Sequence, residues 1–192
     1  MECAVISRNT FTIVCTIAAL TITSPGASAA QGYPFSQRGT VSQMVAFTEL
    51  TVEYGRPVAR GRILFADSGL VPYGNIWHPG ADSATHITIS RDILLEGRSL
   101  KAGEYSLWLI PRGNAPWTLI ISSAAHTFHT PYPGADKDVM RVDIAPVRVS
   151  HMESMAIYFY KVLRDDAEMR IHWGEWALPI TIKAPYRPPD AH

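Results

Sequence analysis

With 192 residues, a formal net charge of zero and 47% hydrophobic residues, the chain has the composition of an ordinary globular protein. The balanced charge argues against nucleic acid or an anionic membrane as the main partner. Both cysteines, Cys3 and Cys15, lie near the N-terminus, so we expect no disulfide and no thiol chemistry in the rest of the chain.

Residues 1–30 have the pattern of a secretory signal peptide. Arg8 supplies a positive flank, residues 11–22 form an uncharged and mainly apolar run, and the small residues at 27–30 offer a cleavage site. The apolar run is too short to cross about 30 Å of hydrocarbon, which disfavours a membrane anchor. Lipid attachment at Cys15 is disfavoured because the residue before it is not small. We therefore predict a secreted or periplasmic protein with no membrane span after cleavage.

The remainder of the chain is dominated by alternating apolar and polar residues, the period of a half-buried β-strand. Residues 31–39 are predicted to be a flexible lead-in, residues 40–183 a single domain, and the proline-rich residues 184–192 an extended tail. The strand candidates are 50–54, 85–90, 105–110, 117–121, 139–144, 155–162, 169–173 and 176–182.

Turn residues separate these candidates. They are Gly97, Gly103, Gly113-Asn114 and Asp165-Asp166. Trp173 and Trp176 bracket Gly174-Glu175, a pattern that predicts a hairpin. The aromatic run 158–160 predicts a central strand with both faces covered.

The number and spacing of the strands predict an all-β fold with few or no helices. Apolar residues on both faces, as at Ile87/Ile89 and at Trp108/Ile110, fit one sheet packing on another. We therefore expect an antiparallel β-sandwich of jelly-roll-like or immunoglobulin-like type.

Several motifs follow one another in collinear order across this domain. They are VEYGRP at 52–57, GRILF at 61–65, GLVPYG at 69–74, Trp77, GAD at 80–82, Thr85, LKAGEYSL at 100–107, WT at 117–118 and KDVMRV at 137–142. Together they resemble a family of secreted bacterial proteins, domain of unknown function 2911. The resemblance implies one extracytoplasmic β domain and no particular activity. His78 replaces the arginine usual after Trp77, and Asp82 replaces a frequent asparagine, so a ligand preference at these positions would differ from that of relatives.

The loop YGNIWHPGAD at 73–82 is the best candidate for a binding site. Tyr73 and Trp77 could offer flat faces to a sugar or an aromatic group, and His78 and Asp82 could hydrogen-bond it. Thr85, at the start of the next strand, completes the candidate set. In the alternative interpretation Trp77 closes one end of the sandwich and Asp82 caps a turn.

Arg56, Arg60 and Arg62 form a second group of interest. They could bind a phosphate, sulfate or uronate, because a guanidinium group grips an oxyanion with two donors. We include Arg56 and Arg62 among the candidate ligand contacts. Alternatively, the arginines pair with surface carboxylates such as Glu53 or Asp67.

Patterns for metal binding and catalysis are weaker. His78, Asp82 and His86 recur every four residues and are ligand types that zinc uses. However, the Pro-Gly pair at 79–80 prevents the continuous helix that would align them, and no HExxH motif supports a metal. We predict no cofactor and no catalytic residue, and keep this trio as a secondary alternative. No nucleophile elbow is present.

The sequence therefore favours non-catalytic binding of a saccharide or another small polar ligand in the cell envelope. One alternative is a hydrolase acting on envelope polymers, which would need two carboxylates converging in a pocket. Another is a structural or protein-interaction module that uses an exposed sheet edge.

Overall fold

A computed structural model describes residues 36–186 of the chain. The predicted signal peptide at 1–30, residues 31–35 of the lead-in and residues 187–192 of the tail lie outside this range. Within residues 36–186, no helix is long and apolar enough to cross a membrane.

Ten antiparallel strands form two sheets. They are β1 (Gln37–Val45), β2 (Thr48–Arg56), β3 (His86–Ile89), β4 (Ile93–Leu95), β5 (Arg98–Leu100), β6 (Gly103–Ile110), β7 (Trp117–Ser122), β8 (Asp138–Ile144), β9 (Val147–Val162) and β10 (Asp166–Lys183). The larger sheet has the order β1-β2-β3-β6-β7-β8 and the smaller one β5-β4-β10-β9. A single 3-10 turn at Ala135–Lys137 is the one helical element in the described part of the chain. The prediction of an all-β antiparallel sandwich is confirmed.

The main core lies between the sheets, and the predicted alternation decides which side chains enter it. Leu107 and Leu109 of β6 point into this core and are at most 1% exposed. Trp108 and Ile110 point to the other face of the same strand and belong to a smaller cluster. The second face is therefore apolar, as expected. It is covered by Tyr132, whose ring lies edge-on to Trp108, and not by a second sheet.

The predicted hairpin at Gly174-Glu175 is wrong, because β10 continues through it from Asp166 to Lys183. Gly174 has a φ of +58°, and the register with β9 shifts on both sides of it. A glycine in the left-handed region serves a bulge as well as a turn, and here it bends a long strand without reversing it.

The prediction that residues 158–160 lie in a central strand is also wrong. β9 is the last strand of the smaller sheet, and Tyr160 is 59% exposed. The guanidinium of Arg170 lies 3.4 Å from the centre of the Tyr160 ring and covers part of it. The aromatic run thus reflects cation–π packing at a sheet edge rather than burial between two layers.

Two kinds of hydrogen bond join β2 to the smaller sheet. The Tyr54 hydroxyl accepts the Ile157 N–H at 2.9 Å and donates to the Ile157 carbonyl at 3.2 Å. Immediately after β2, the Met155 N–H donates to the Pro57 carbonyl at 2.9 Å. Residues 57–59 therefore run beside β9 and cover part of its open edge, which protects the edge from pairing with other chains.

Both ends of the domain are ordered further than predicted. β1 begins at Gln37, inside the range expected to be a flexible lead-in. In the expected tail, Ala184 is fully buried and donates its N–H to the Asp165 carbonyl at 2.8 Å. The Tyr186 ring packs on Phe47 with centroids 5.4 Å apart. Residues 184–186 are therefore attached to the domain.

Candidate ligand-binding cleft

The loop that carries most of the predicted site joins β2 to β3 and is fixed to β6 by main-chain hydrogen bonds. The Trp77 N–H donates to the Leu109 carbonyl at 2.8 Å, and the Leu109 N–H donates to the Trp77 carbonyl at 2.7 Å. The Gly74 N–H donates to the Pro111 carbonyl at 2.8 Å. The loop is thus held as firmly as a short added strand.

Trp77 is partly buried and contacts the main core. Its ring stacks on Trp173, with centroids 5.8 Å apart and an interplanar angle of 21°. Phe65 meets it edge-on at 5.8 Å. These contacts fix the orientation of the Trp77 ring, so the two interpretations offered by the sequence are compatible: the side chain packs on the core and also reaches a surface cleft.

A cleft of about 600 Å³ opens beside Trp77. Its apolar wall includes Trp77, Trp173, Leu70 and Ile76, and its polar lining includes Arg60, Arg62, His78, Asp82, His129 and Thr130. Leu70 and Ile76 are large apolar side chains that remain 47% and 38% exposed there. The mixture of aromatic, aliphatic and polar groups is typical of sites for small ligands.

His78 is the most unusual group in the cleft wall. The residue is only 4% exposed, and its Nδ1 atom is buried with no hydrogen-bond partner among the described residues. Its pKa is lowered to about 4, mainly by burial and to a smaller extent by charge repulsion from the nearby His129 and Arg38. The imidazole is therefore neutral at pH 7, and leaving its buried Nδ1 nitrogen without a partner is energetically costly.

Asp82 has an exposed carboxylate on a left-handed backbone. Its φ is +63°, a conformation that aspartate and asparagine adopt more readily than most residues other than glycine. The Asp82 carbonyl lies 2.8 Å from His129 Nδ1. On the inner side, a Cβ added to Gly55 of β2 would lie 2.2 Å from the Ala81 carbonyl oxygen. The absence of a side chain at position 55 therefore allows the loop to approach β2 closely.

The structure brings together part of the predicted set. Trp77, His78, Asp82 and Arg62 line the cleft, whereas Tyr73 lines a smaller cavity of about 250 Å³ that shares Arg62 with it. Thr85 is fully buried and donates its hydroxyl to the Pro79 carbonyl at 2.6 Å. It holds the segment after His78 in place and lies outside the cleft lining.

Arg62 and Arg56 both donate hydrogen bonds to main-chain carbonyl oxygens. Arg62 donates from Nε to the Ala59 carbonyl at 2.9 Å and from Nη2 to the Val58 carbonyl at 2.6 Å. Arg56 donates from Nε to the Met155 carbonyl at 3.0 Å and does not line the cleft. Arg62 thus restrains residues 58–59 directly, and Arg56 ties the end of β2 to β9 beside them, so both stabilise one wall of the cleft.

The alternative metal trio His78, Asp82 and His86 does not converge. Among residues 36–186, a different set of three potential ligands does converge, and these are His86, Glu104 and His126. Trp173 is the main cleft residue that the sequence did not indicate, because the supposed hairpin placed it at a flank. Its position depends on the bulge at Gly174, for which the sequence carries no separate signal.

Fold and cleft together define an all-β sandwich protein with an aromatic and polar cleft at the loop between β2 and β3. The chain belongs to the family described as "Protein of unknown function (DUF2911)", whose family model matches residues 36–182. This confirms the resemblance seen in the sequence motifs. Searches of curated proteins and of solved structures found no match.

Proposed function

We propose that this domain binds a saccharide or another small polar ligand, without catalysis, in the cleft beside Trp77. The observation that carries the proposal is the convergence of three groups in one cleft: the Trp77 indole, the exposed Asp82 carboxylate and the buried His78 ring. An indole offers a face to the C–H side of a sugar ring, and a carboxylate accepts hydrogen bonds from hydroxyl groups.

The cleft favours binding over hydrolysis. A glycosidase normally uses two carboxyl groups on either side of the bond it breaks. Among the described residues that line the cleft, Asp82 is the sole carboxylate. The neutral His78 can donate or accept one hydrogen bond, which suits the orientation of a hydroxyl or amide group.

We also propose that binding takes place in the periplasm or outside the cell. This part rests on the N-terminal sequence alone, with its positive flank, short apolar run and small residues at 27–30. A ligand of the envelope, such as a sugar released from a surface polymer, would meet the protein there.

Asp82→Asn is the sharpest test of the cleft. Asparagine tolerates the left-handed backbone at this position, so the fold should be retained while the charge is lost. With a panel of neutral hexoses, amino sugars and uronic acids, we expect at least one member to raise the melting temperature of the wild type. Calorimetry should then show that Asp82→Asn weakens its binding by about tenfold or more, since a charged acceptor is replaced by a neutral one and the second acceptor oxygen becomes a donor.

Asp67→Asn provides the control, because Asp67 is also exposed in the β2–β3 loop but does not line the cleft. It should bind as the wild type does. A wild type that binds no member of the panel, or an Asp82→Asn variant that binds with unchanged affinity, would contradict the proposal.

A further inference from the structure

A second polar site lies on the face of the larger sheet that points away from the smaller one. Ile87 and Ile89 of β3 are buried in the core, so His86 and Thr88, which alternate with them, point to the opposite face. Glu53 of β2 pairs directly with His86. On the other side of β3, Glu104 of β6 pairs directly with Thr88. Strand pairing thus places two carboxylates on either side of one imidazole.

A loop adds a second imidazole to this group. The Ala84 N–H donates to the Thr127 carbonyl at 3.0 Å, and Ser83 forms an isolated antiparallel bridge with Phe128. These contacts hold His126 over the sheet, where its Nε2 atom lies 2.7 Å from Glu104 Oε2. The rings of His126 and His86 have centroids 4.8 Å apart.

We propose that His86, Glu104 and His126 bind one divalent transition-metal ion, with zinc as the expected occupant. One ligand atom from each residue lies within 4.8 Å of those of the other two. Two imidazoles and one carboxylate are a donor set that suits zinc and leaves a fourth tetrahedral position open. Glu104 and His126 are half or more exposed, so their side chains can rotate by the small amount needed to close around an ion.

The surroundings of His86 resemble the outer shell of a metal site. Its Nδ1 atom lies 3.5 Å from Glu53 Oε2, while Nε2 lies on the side of Thr88, at 3.4 Å from its hydroxyl. Because Thr88 is the direct partner of Glu104, Nε2 is the atom that would bind the metal. A carboxylate on the far nitrogen of a metal-binding imidazole fixes its orientation and raises its basicity.

Charge and space at the site are compatible with a cation. Arg38 is the positive side chain among the described residues that line the cavity of His86 and His126. The carboxylates of Glu53 and Glu104 lie beside the two imidazoles and outweigh its charge. That cavity measures about 330 Å³ and shares no lining residue with the cleft beside Trp77. Water could therefore fill the open coordination position, and the metal site uses none of the residues that line the cleft beside Trp77.

Titration calorimetry of the purified protein with zinc chloride tests the site, after alkylation of Cys3 and Cys15 to remove competing thiols in unprocessed chains. We expect one equivalent of zinc per chain. His126→Ala and Glu104→Gln should each weaken binding by about tenfold or more, since each removes a ligand. Cobalt(II) should give a visible absorption spectrum of a tetrahedral site in the wild type that is lost in both variants.

His151→Ala is the matched control. His151 Nε2 lies 2.9 Å from Glu153 Oε2, and both side chains are about half exposed, but within residues 36–186 no third ligand converges with them. This variant should bind zinc as tightly as the wild type. The proposal fails if the wild type takes up no zinc, or if His151→Ala loses as much affinity as His126→Ala, because the metal would then be held by scattered surface histidines.

Discussion

A single side chain, His78, joins the interior of the domain to its candidate ligand cleft. The imidazole packs edge-on to Trp108, with centroids 5.9 Å apart, and lies beside His129 at 5.6 Å. The Thr85 hydroxyl donates to the carbonyl of Pro79, the residue after His78, and restrains the main chain there. The ring is thus fixed in a place where its protonated form is poorly solvated.

This burial makes the stability of the domain sensitive to acid. The pKa of His78 is about 4 in the folded protein, against an ordinary value of 6.5. Between these pH values the unfolded chain binds more protons than the folded one, so the stabilisation present above pH 6.5 is lost as the pH falls towards 4. The loss from this group should reach about 3 kcal/mol.

Urea unfolding at several pH values measures the effect. His78→Leu should flatten the dependence between pH 6.5 and 4, because leucine binds no proton in either the folded or the unfolded chain. If the slope in His78→Leu equals that of the wild type, another group causes the acid sensitivity.

At the scale of the element, β2 positions the site through Gly55, which has no side chain and so lets the loop approach the strand. A methyl group at Gly55 would overlap the Ala81 main chain, with its carbonyl oxygen 2.2 Å and its carbonyl carbon 2.9 Å away. Main-chain atoms cannot rotate aside as the end of a side chain can. Residues 80–82 would therefore have to move away from the strand, and Asp82 would move with them.

Gly55→Ala should therefore cost about 1 to 3 kcal/mol in the free energy of unfolding, from overpacking. Gly39→Ala, in the neighbouring strand β1, is the control because the nearest atom there belongs to the side chain of Arg56, at 2.9 Å, which can move aside at the cost of its hydrogen bond to Met155. Its cost should be clearly smaller. Denaturant unfolding compares the two variants. An equal loss in the free energy of unfolding would show that residues 80–82 can move away from β2 without strain.

Among the strands, some could be predicted from the sequence and others could not. The alternation of Leu50, Val52 and Tyr54 identifies β2 because burial of one face imposes a period of two, and all three are at most 5% exposed. The short strands β4 and β5 were not predicted, since three residues each are too few to display a period. Gly174 was misread because a left-handed glycine fits a bulge and a turn equally.

The candidate sites divide in the same way. The cleft at 77–82 was indicated by local sequence, because its aromatic and polar residues lie in one loop. The proposed metal site could not be predicted from local sequence, since His86, Glu104 and His126 belong to two strands and a distant loop. Only the pairing of β3 with β6 brings them together, and strand order does not follow from the sequence of one chain.

At the scale of the molecule, the domain depends on packing between two sheets. Both cysteines lie in the predicted signal peptide, so residues 36–186 contain none. The core instead draws buried side chains from both sheets, among them Leu107 of β6 and Ile180 of β10. Cohesion of the sandwich is therefore a matter of apolar contact and of the hydrogen bonds that join β2 to β9.

Leu107→Ala should cost about 2 to 5 kcal/mol in the free energy of unfolding, as a truncation in a close-packed core. Leu107 is 1% exposed. Met44→Ala, at a position that is 53% exposed, should change stability by less than about 0.5 kcal/mol. Urea unfolding with and without reductant measures both, and reductant should shift neither curve. A cost below about 0.5 kcal/mol for Leu107→Ala would mean that the faces of β6 are assigned in reverse.

The two walls of the cleft are anchored to different sheets. Residues 57–59 bond to β9 of the smaller sheet, while Trp77 bonds to Leu109 of the larger one. The width of the opening is therefore set by the separation of the sheets, which the volume of the side chains between them determines. Core substitutions far from the cleft could thus widen or narrow it. Selection by size in the proposed binding cleft would then be tuned from the interior of the protein.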